Sequence, residues 1–367
     1  MKHPSVYLNW YVRVPRLKYD FRSSGLSFFQ YDVNLSRVDL SMNYADGNPE
    51  TVRLLADYYN VQPENVFVSS EGASGQNARI IRVLGEHLKG KNEAIVEFPT
   101  YEPLLRHVQE HFRTVRRFER KKEEEYSLNP EAIRKVITAR TGLLVLTNPH
   151  APSGVVADKR ELTELVQLSN EHGFFVVCDE IYAEFNRALS PSLFSISSER
   201  AIVTTSFTKA FGLGGLRLGT ALASKDLVRQ LYSDVLNTVG NSSNIVQIVA
   251  GKILANDQAR LHKHVGRWSG LKREMEEWLD EHSLQYTPNK LGVTYWVESP
   301  IEDTYRWTNK VTVRKHSFAA VPGAFFLFKE GNKIAKSNTL RLGLGAINPE
   351  IRLWKALKVL EKALKIL

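Results

Sequence analysis

The chain has 367 residues, of which 43% are hydrophobic and 24% are charged. These values exclude an intrinsically disordered protein and predict two domains or one large α/β unit with a sizeable core. The single cysteine excludes an internal disulfide, no Cys/His cluster suggests a metal, and no apolar run approaches the roughly 18 residues of a membrane span. The N-terminus lacks the apolar part of a secretory signal, so we expect a soluble, cytoplasmic protein without a membrane partner.

The positive charge does not indicate a nucleic-acid partner. The 49 lysines and arginines exceed the 40 acidic residues by nine, but a nucleic-acid binder concentrates its basic residues on one stripe or arm. The densest basic run, residues 113–125, interleaves arginines and lysines with four glutamates, and we interpret it as a self-neutralising, solvated surface segment. Basic residues near the C-terminus recur at helical spacing, which predicts that they lie on the solvent-exposed face of an amphipathic helix beginning at Asn348-Pro349.

Residues 1–45 show no strong periodicity, and we expect them to wrap over another surface. Between residues 94 and 224, short apolar runs alternate with helical patterns, which is typical of a mostly parallel sheet covered on both faces. Predicted strands lie at residues 94–98, 143–147, 174–178, 201–207 and 220–223, and predicted helices at residues 131–139 and 159–172. The site of such a sheet lies at the carboxyl ends of its strands.

The character of the chain changes to helix from about residue 225. Helices are predicted at residues 225–239, 246–255, 258–282 and 351–367, and strands at residues 293–297 and 340–344. This order predicts a large α/β domain of residues 46–258. Residues 1–45 and 259–367 then form a smaller α+β domain that includes an N-terminal arm.

The segment from Thr204 to Gly219 ends an apolar strand in hydroxyls and Lys209, followed by glycines and Arg217. Burying the charge of a lysine is costly, whereas a lysine with a lowered pKa is a nucleophile that forms a Schiff base with an aldehyde. Ser206 and Arg217 could hold a phosphate beside it. For this segment alone, a surface loop with an incidental lysine remains the alternative. The glycines lack the placement of a dinucleotide fingerprint, which disfavours a nicotinamide dehydrogenase.

The preceding strand ends in Asp179, with Tyr182 three residues later. A carboxylate at this edge can pair with a cationic heteroaromatic nitrogen and so keep a pyridinium ring electron-accepting, while the tyrosine serves an adjacent oxygen. Taken alone, an aspartate that caps a strand is the commoner explanation.

Together these residues resemble the fold-type I pyridoxal-phosphate (PLP) enzymes, and specifically the class I/II aminotransferases. The resemblance implies a largely seven-stranded, mostly parallel sheet between helices, and PLP as cofactor. It implies Lys209 as the Schiff-base lysine and proton shuttle, Asp179 on the pyridine nitrogen, Tyr182 on the phenolic oxygen, and Ser206 with Arg217 on the phosphate.

Further matches occur in order along almost the whole chain. Gly72, Ala73 and Ser74 resemble the glycine turn at a helix start whose backbone amides meet the phosphate. Tyr101 in Pro99-Thr100-Tyr101 resembles the aromatic residue that stacks on the cofactor ring.

Two matches concern the substrate and the partner subunit. Arg341 in Leu340-Arg341-Leu342-Gly343 resembles the arginine that grips the substrate α-carboxylate. Tyr44, in Tyr44-Ala45-Asp46-Gly47, resembles the tyrosine that reaches the phosphate of the neighbouring subunit, which implies a homodimer with shared active sites.

The loop Asn148-Pro149-His150-Ala151-Pro152-Ser153-Gly154 departs from the family pattern Asn-Pro-x-Asn-Pro-Thr-Gly. Ala151 occupies the position of the asparagine that hydrogen-bonds the cofactor's phenolic oxygen, which leaves Tyr182 as the main group that tunes the site. His150 either compensates or lies on the turn surface, and the second is favoured.

The resemblance implies transfer of an amino group between an L-amino acid and a 2-oxo acid by a ping-pong mechanism. Aspartate-like, aromatic and histidinol-phosphate-like donors remain open. Candidates for binding a second acidic group are Arg13, Arg16, Arg22 and Arg37. A PLP-dependent lyase or decarboxylase is the alternative, since fold does not fix the reaction, and a non-catalytic PLP-binding regulator is a weaker one.

Overall fold

The computed structural model describes residues 4–15, 17–27, 30–36, 38–88, 90–309, 318–329, 333–347 and 353–364. The strands are β1 (Tyr19–Phe21), β2 (Val66–Ser69), β3 (Glu93–Phe98), β4 (Thr114–Glu119), β5 (Thr141–Thr147), β6 (Phe175–Asp179), β7 (Ala201–Thr205), β8 (Gly219–Leu222), β9 (Tyr286–Thr287), β10 (Thr294–Glu298), β11 (Phe318–Pro322) and β12 (Thr339–Gly343). The helices are α1 (Val6–Arg13), α2 (Pro49–Tyr59), α3 (Gly72–His87), α4 (Glu102–His111), α5 (Pro130–Arg134), α6 (Lys159–His172), α7 (Leu193–Ile196), α8 (Lys225–Val239), α9 (Asn244–Glu281), α10 (Thr304–Trp307) and α11 (Leu353–Leu364).

Seven strands form the larger sheet, in the order β2-β8-β7-β6-β5-β3-β4. β8 runs antiparallel to β2 and β7, and the other neighbouring pairs are parallel. The residues of β2, β5, β7 and β8 are all buried, as expected for strands covered on both faces. The seven-stranded, mostly parallel sheet implied by the resemblance is confirmed.

The register of the parallel strands aligns three polar side chains at one edge of this sheet. Thr147 of β5 pairs with Asp179 of β6, and Asp179 pairs with Thr204 of β7. Because all three strands run in the same direction, their carboxyl ends meet here.

The smaller sheet has five strands in the order β1-β11-β12-β10-β9. β1, from the N-terminal region, pairs in parallel with β11, so the smaller sheet contains residues from both ends of the chain. The strands predicted at residues 293–297 and 340–344 are confirmed as β10 and β12, each displaced by one residue.

The two helices predicted at residues 246–255 and 258–282 are one continuous helix, α9, so the predicted break is wrong. Neither Gly nor Pro interrupts the backbone there, and the Asn256 side chain donates to the Lys252 carbonyl one turn earlier, at 2.9 Å, instead of ending the helix. Within the described part of the chain, no helix is both long and apolar enough to cross a membrane.

The N-terminal region contains a helix, α1, which its weak periodicity did not indicate. The Ser5 hydroxyl caps it by accepting from the Leu8 amide at 3.0 Å. The buried carboxylate of Glu102 accepts from the Val6 and Tyr7 amides at 2.9 and 2.8 Å, so a residue about 95 positions away completes the cap. Such a long-range acceptor leaves no local sequence signal.

The interpretation of residues 113–125 as a solvated surface segment is wrong for its first half. β4 is an edge strand of the larger sheet, and Arg120 is fully buried beside Glu97. The partner of Arg120, Glu97, belongs to β3 and lies outside this run, so Arg120 is part of a buried ion pair and not of a solvated surface. The C-terminal helix is confirmed as α11, whereas Asn348-Pro349 lies outside the described residues.

Candidate active site

A cavity of about 750 Å³ opens at the carboxyl edge of the larger sheet and is bounded by α1 and by residues of the smaller sheet. Eight of the predicted site residues line it: Ala73, Ser74, Tyr101, Asp179, Tyr182, Lys209, Arg217 and Arg341. Sequence positions that are up to 268 residues apart are thus brought to one cavity. Gly72, Ser206 and Tyr44 are not among the lining residues.

Lys209 follows β7 and directs its amine into this cavity. Nζ donates to the Ser24 hydroxyl at 2.9 Å and lies 5.9 Å from the centre of the Tyr182 ring. Burial lowers the pKa of Lys209 from its usual 10.5 to about 8; Arg341 and Arg217 also lower this pKa, and Asp179 opposes the change. An amine with this pKa is still mostly charged at pH 7, but about one-tenth of it is in the neutral, nucleophilic form, against less than a thousandth for an ordinary lysine.

Asp179 is buried and held in place by two donors. The Asn77 amide group of α3 donates to its Oδ2 at 2.8 Å, and the Ile181 amide donates to Oδ1 at 3.1 Å. Asn77 is in turn oriented by the Thr204 hydroxyl at 2.7 Å. Burial raises the pKa of Asp179, while the two donors and Lys209 oppose that rise. A buried carboxylate held in this way can accept a hydrogen bond from a protonated ring nitrogen.

The start of α3 and Arg217 lie together at one end of the cavity. A side chain at Gly72 would come within 2.6 Å of the Arg217 guanidinium, and the Gly72 amide donates to the Arg217 carbonyl at 2.6 Å. No side chain caps α3 at its N-cap, so Ala73 and Ser74 present first-turn amides beside an exposed guanidinium. The buried Ser206 hydroxyl instead donates to the Leu218 carbonyl at 2.6 Å, so it supports the loop that carries Arg217.

Arg341 of β12 is a buried arginine with spare hydrogen-bonding capacity. One terminal nitrogen donates to the Arg22 carbonyl at 2.5 Å and the guanidinium also hydrogen-bonds Tyr7, whereas its buried Nε donates to no group in the described residues. The guanidinium lies 5.5 Å from the centre of the Phe326 ring. A buried guanidinium with an unused N–H group is suited to binding a carboxylate.

Aromatic residues form the wall between Lys209 and Arg341. Tyr101, at the start of α4, makes an edge-on contact with Tyr7 of α1, with ring centres 5.9 Å apart. Tyr7 and Tyr11 both line the cavity. The N-terminal helix therefore supplies two tyrosines that the sequence patterns did not reveal.

Residues 35–351 match the family model for class I and II aminotransferases. The chain is a member of this family. The resemblance inferred from its motifs is thereby confirmed.

Curated relatives of this aminotransferase-family chain carry several specificities. The histidinol-phosphate aminotransferase of Methanocaldococcus jannaschii is 26% identical over 196 residues, which cover 53% of this chain and 51% of that protein. The aspartate/prephenate aminotransferase of Thermus thermophilus is 31% identical over 140 residues, 37% of this chain and 36% of that protein. The chain thus spans about half or less of the length of these relatives.

Solved structures share the fold over the full length. A PLP-dependent aminotransferase from Streptococcus suis superposes with a TM-score of 0.86 at 22% identity, covering 100% of this chain and 98% of that one. A double mutant of the Thermus thermophilus aspartate aminotransferase gives 0.83 at 22% identity, covering 98% and 97%. At this level of identity the likeness establishes the common fold.

The loop that departs from the family pattern lies against the cavity. Ala151 lines it, and its amide donates to the Thr147 hydroxyl at 2.8 Å. His150 is buried, so its favoured placement on the turn surface is wrong: Nε2 bonds the Pro99 carbonyl at 3.0 Å and Nδ1 bonds the Ser153 hydroxyl at 2.7 Å. Burial holds the pKa of His150 well below its usual value. Both ring nitrogens are occupied, so this histidine supports the loop and does not replace the missing asparagine.

The four arginines named as candidates for a second acidic group are not equivalent. Arg22 is buried and its guanidinium is occupied by Asp20 and by three backbone carbonyls. Arg13 is exposed and does not line the cavity. Arg16 and Arg37 lie outside the described residues.

Proposed function

We propose that the chain is a PLP-dependent aminotransferase that moves an amino group between an L-amino acid and a 2-oxo acid by a ping-pong mechanism. The observation that carries the proposal is the grouping of Lys209, Asp179 and Arg341 in one cavity. These residues provide a nucleophilic amine, a buried carboxylate for a ring nitrogen and a guanidinium with an unused N–H group for a carboxylate. Membership of the aminotransferase family supports the same reaction.

The residues present fit PLP at this site. The close approach of Gly72 to the Arg217 guanidinium leaves no room for a side chain, which suits a phosphate held by Arg217 and by the amides of Ala73 and Ser74. Tyr101 would stack on the ring, Asp179 would pair with the ring nitrogen, and Tyr182 would donate to the phenolic oxygen. Bound there, PLP supplies a reactive aldehyde and an electron-accepting ring.

The roles of the protein groups follow from their positions. Lys209 would hold PLP through its neutral Nζ, and the same amine, when free, would carry the substrate's Cα proton. Arg341 grips the α-carboxylate and so orients the Cα–H bond toward that amine. Asp179 would accept the hydrogen bond from the ring nitrogen and hold the proton there.

A panel of amino donors tests this reaction against the lyase alternative. We expect aspartate, an aromatic amino acid or histidinol phosphate to convert the PLP-loaded protein to its pyridoxamine form, with release of the oxo product, and 2-oxoglutarate to reverse the conversion. Lys209→Ala should abolish the conversion. Release of ammonia or CO2 without the pyridoxamine form would instead indicate a lyase or decarboxylase, and normal turnover by Lys209→Ala would refute the assignment.

We further propose that the enzyme is a cytoplasmic homodimer in which Tyr44 reaches the phosphate of the neighbouring subunit. Tyr44 does not line the cavity of its own chain. Large apolar side chains are exposed nearby: Leu40 and Met42 precede Tyr44, and the Met42 carbonyl accepts from Asn244 at the start of α9. Exposed apolar residues of this kind favour an interface.

Light scattering after size exclusion tests the dimer, and mixing of two inactive variants tests the shared site. We expect twice the 41.7 kDa chain mass. Mixed dimers of Tyr44→Ala and Lys209→Ala should recover part of the activity, because one of their two cavities contains both native residues. A monomer, or no recovery on mixing, would contradict the shared site.

A further inference from the structure

The hydroxyl of Ser24 lies between the two groups that are central to the proposed chemistry. Its oxygen accepts from Nζ of Lys209 at 2.9 Å, and the hydroxyl also hydrogen-bonds the phenol of Tyr182. Ser24 is 6% exposed and lines the cavity. It precedes residues 35–351, the stretch that matches the family model, so no family motif draws attention to it.

The backbone around Ser24 is fixed on two sides. The Leu26 amide donates to the carbonyl of Lys209 at 2.7 Å, and the Gly345 amide, just after β12, donates to the Ser23 carbonyl at 3.3 Å. Gly25 packs so closely that an added side-chain carbon would lie 3.1 Å from Cα of Lys209. The segment is therefore held between the lysine and the smaller sheet, and the Ser24 hydroxyl needs no rearrangement to reach both partners.

Hydrogen-bond roles follow from the chemistry of the three groups. An amine donates to the Ser24 oxygen whether it is charged or neutral, and the single proton of Ser24 is then free to be donated to the Tyr182 oxygen. A neutral Lys209 amine that donates one hydrogen to Ser24 keeps its lone pair for attack on an aldehyde. The methyl group of Ala151 cannot donate a hydrogen bond to the cofactor's phenolic oxygen. Tyr182 is then the main donor to that oxygen, and the group that orients Tyr182 gains importance.

We propose that Ser24 is a positioning residue of the active site, which fixes the amine of Lys209 and couples it to the phenol of Tyr182. The link between Ser24 and Lys209 is a property of the protein alone. Its consequence for turnover rests on the proposed aminotransferase function.

The first test measures Lys209 in the cofactor-free protein, by competitive labelling with acetic anhydride at a series of pH values and mass spectrometry of the Lys209 peptide. Ser24 accepts from the charged amine and stabilises it, so Ser24→Ala should lower the labelling midpoint by about half to one pH unit. Ser24→Thr retains a hydroxyl and should keep the wild-type midpoint. Ser23→Ala is the matched control, because the Ser23 hydroxyl bonds the Gly25 carbonyl within the same segment.

An unchanged midpoint in Ser24→Ala, or an equal shift in Ser23→Ala, would overturn the proposal. If Ser24→Ala does not fold, Ser24→Cys takes its place, since a thiol of similar size is a weak acceptor and should give the same downward shift.

The second test uses the PLP-loaded protein in a single half-reaction with an amino donor. Ser24→Ala should slow the conversion about tenfold while the apparent affinity for the donor changes by less than about twofold, because Ser24 acts on the amine and not on the carboxylate. Equal losses in rate and affinity would contradict a positioning role. If the wild-type protein binds no PLP, the aminotransferase proposal fails, but the labelling experiment still decides whether Ser24 holds Lys209.

Discussion

Replacing Lys209 by Met should stabilise the cofactor-free protein, because the site holds an amine whose charged form is disfavoured. The pKa of Lys209 is about 8 in the folded protein, against a usual value of 10.5. Below pH 8 the folded protein must therefore hold a proton on a poorly solvated amine, and this cost disappears as the pH rises from 8 toward 10.5. The shift corresponds to at most about 3 kcal/mol. Because the amine borders an open cavity, we expect about 2 kcal/mol at pH 7 and about 0.5 kcal/mol at pH 10.

Urea denaturation followed by tryptophan fluorescence, at pH 7 and pH 10, measures this difference between wild type and Lys209→Met. Lys225→Met is the control for the substitution itself, since the Lys225 side chain is 52% exposed, and its effect should stay within about 0.5 kcal/mol at both pH values. A Lys209→Met variant that is less stable than wild type, or whose gain does not depend on pH, would refute the assignment of a lowered pKa to this lysine.

Three other changes have defined outcomes. The rate at which the cofactor-free protein captures PLP should fall about tenfold for each pH unit below about 8, because only the neutral amine of Lys209 reacts; a rate that is constant between pH 6 and 9 would argue against this. Arg341→Lys should raise the KM for the amino donor about 10- to 100-fold and leave the Kd for PLP unchanged, because the bidentate grip on the carboxylate is lost; calorimetry separates the two effects. Glu102→Gln should make the amides of α1 exchange hydrogen about 5- to 30-fold faster, because Val6 and Tyr7 lose a charged acceptor. Unchanged exchange would show that packing alone holds the helix.

The central residues of the cavity could be predicted from the sequence because they follow strands directly. Asp179 ends β6 and Lys209 follows β7, and parallel neighbours bring their carboxyl ends together whatever the rest of the chain does. An apolar run followed by a polar residue is a local pattern that places these residues at the edge of the sheet, and the family resemblance then assigned their roles. The sheet that contains them was predictable for the same reason.

The rest of the cavity depends on contacts between distant segments. Ser24 reaches Lys209 because the Leu26 amide bonds the Lys209 carbonyl, and Tyr7 enters the cavity because Glu102 caps α1. Neither contact leaves a periodic or spaced signal in the sequence. His150 was predicted wrongly for a related reason. Its turn sequence indicated a surface residue, but the side chain is buried and hydrogen-bonds Pro99 and Ser153.

The central claim is that one lysine, Lys209, forms the covalent link to PLP. Borohydride reduction of the PLP-loaded protein fixes such a link permanently, and peptide mass spectrometry then locates it. We predict that the reduced phosphopyridoxyl group is found on the peptide that contains Lys209, in about one equivalent per chain, and that a sample treated with an amino donor before reduction loses the label. A label spread over surface lysines, or no label after incubation with PLP, would contradict the account.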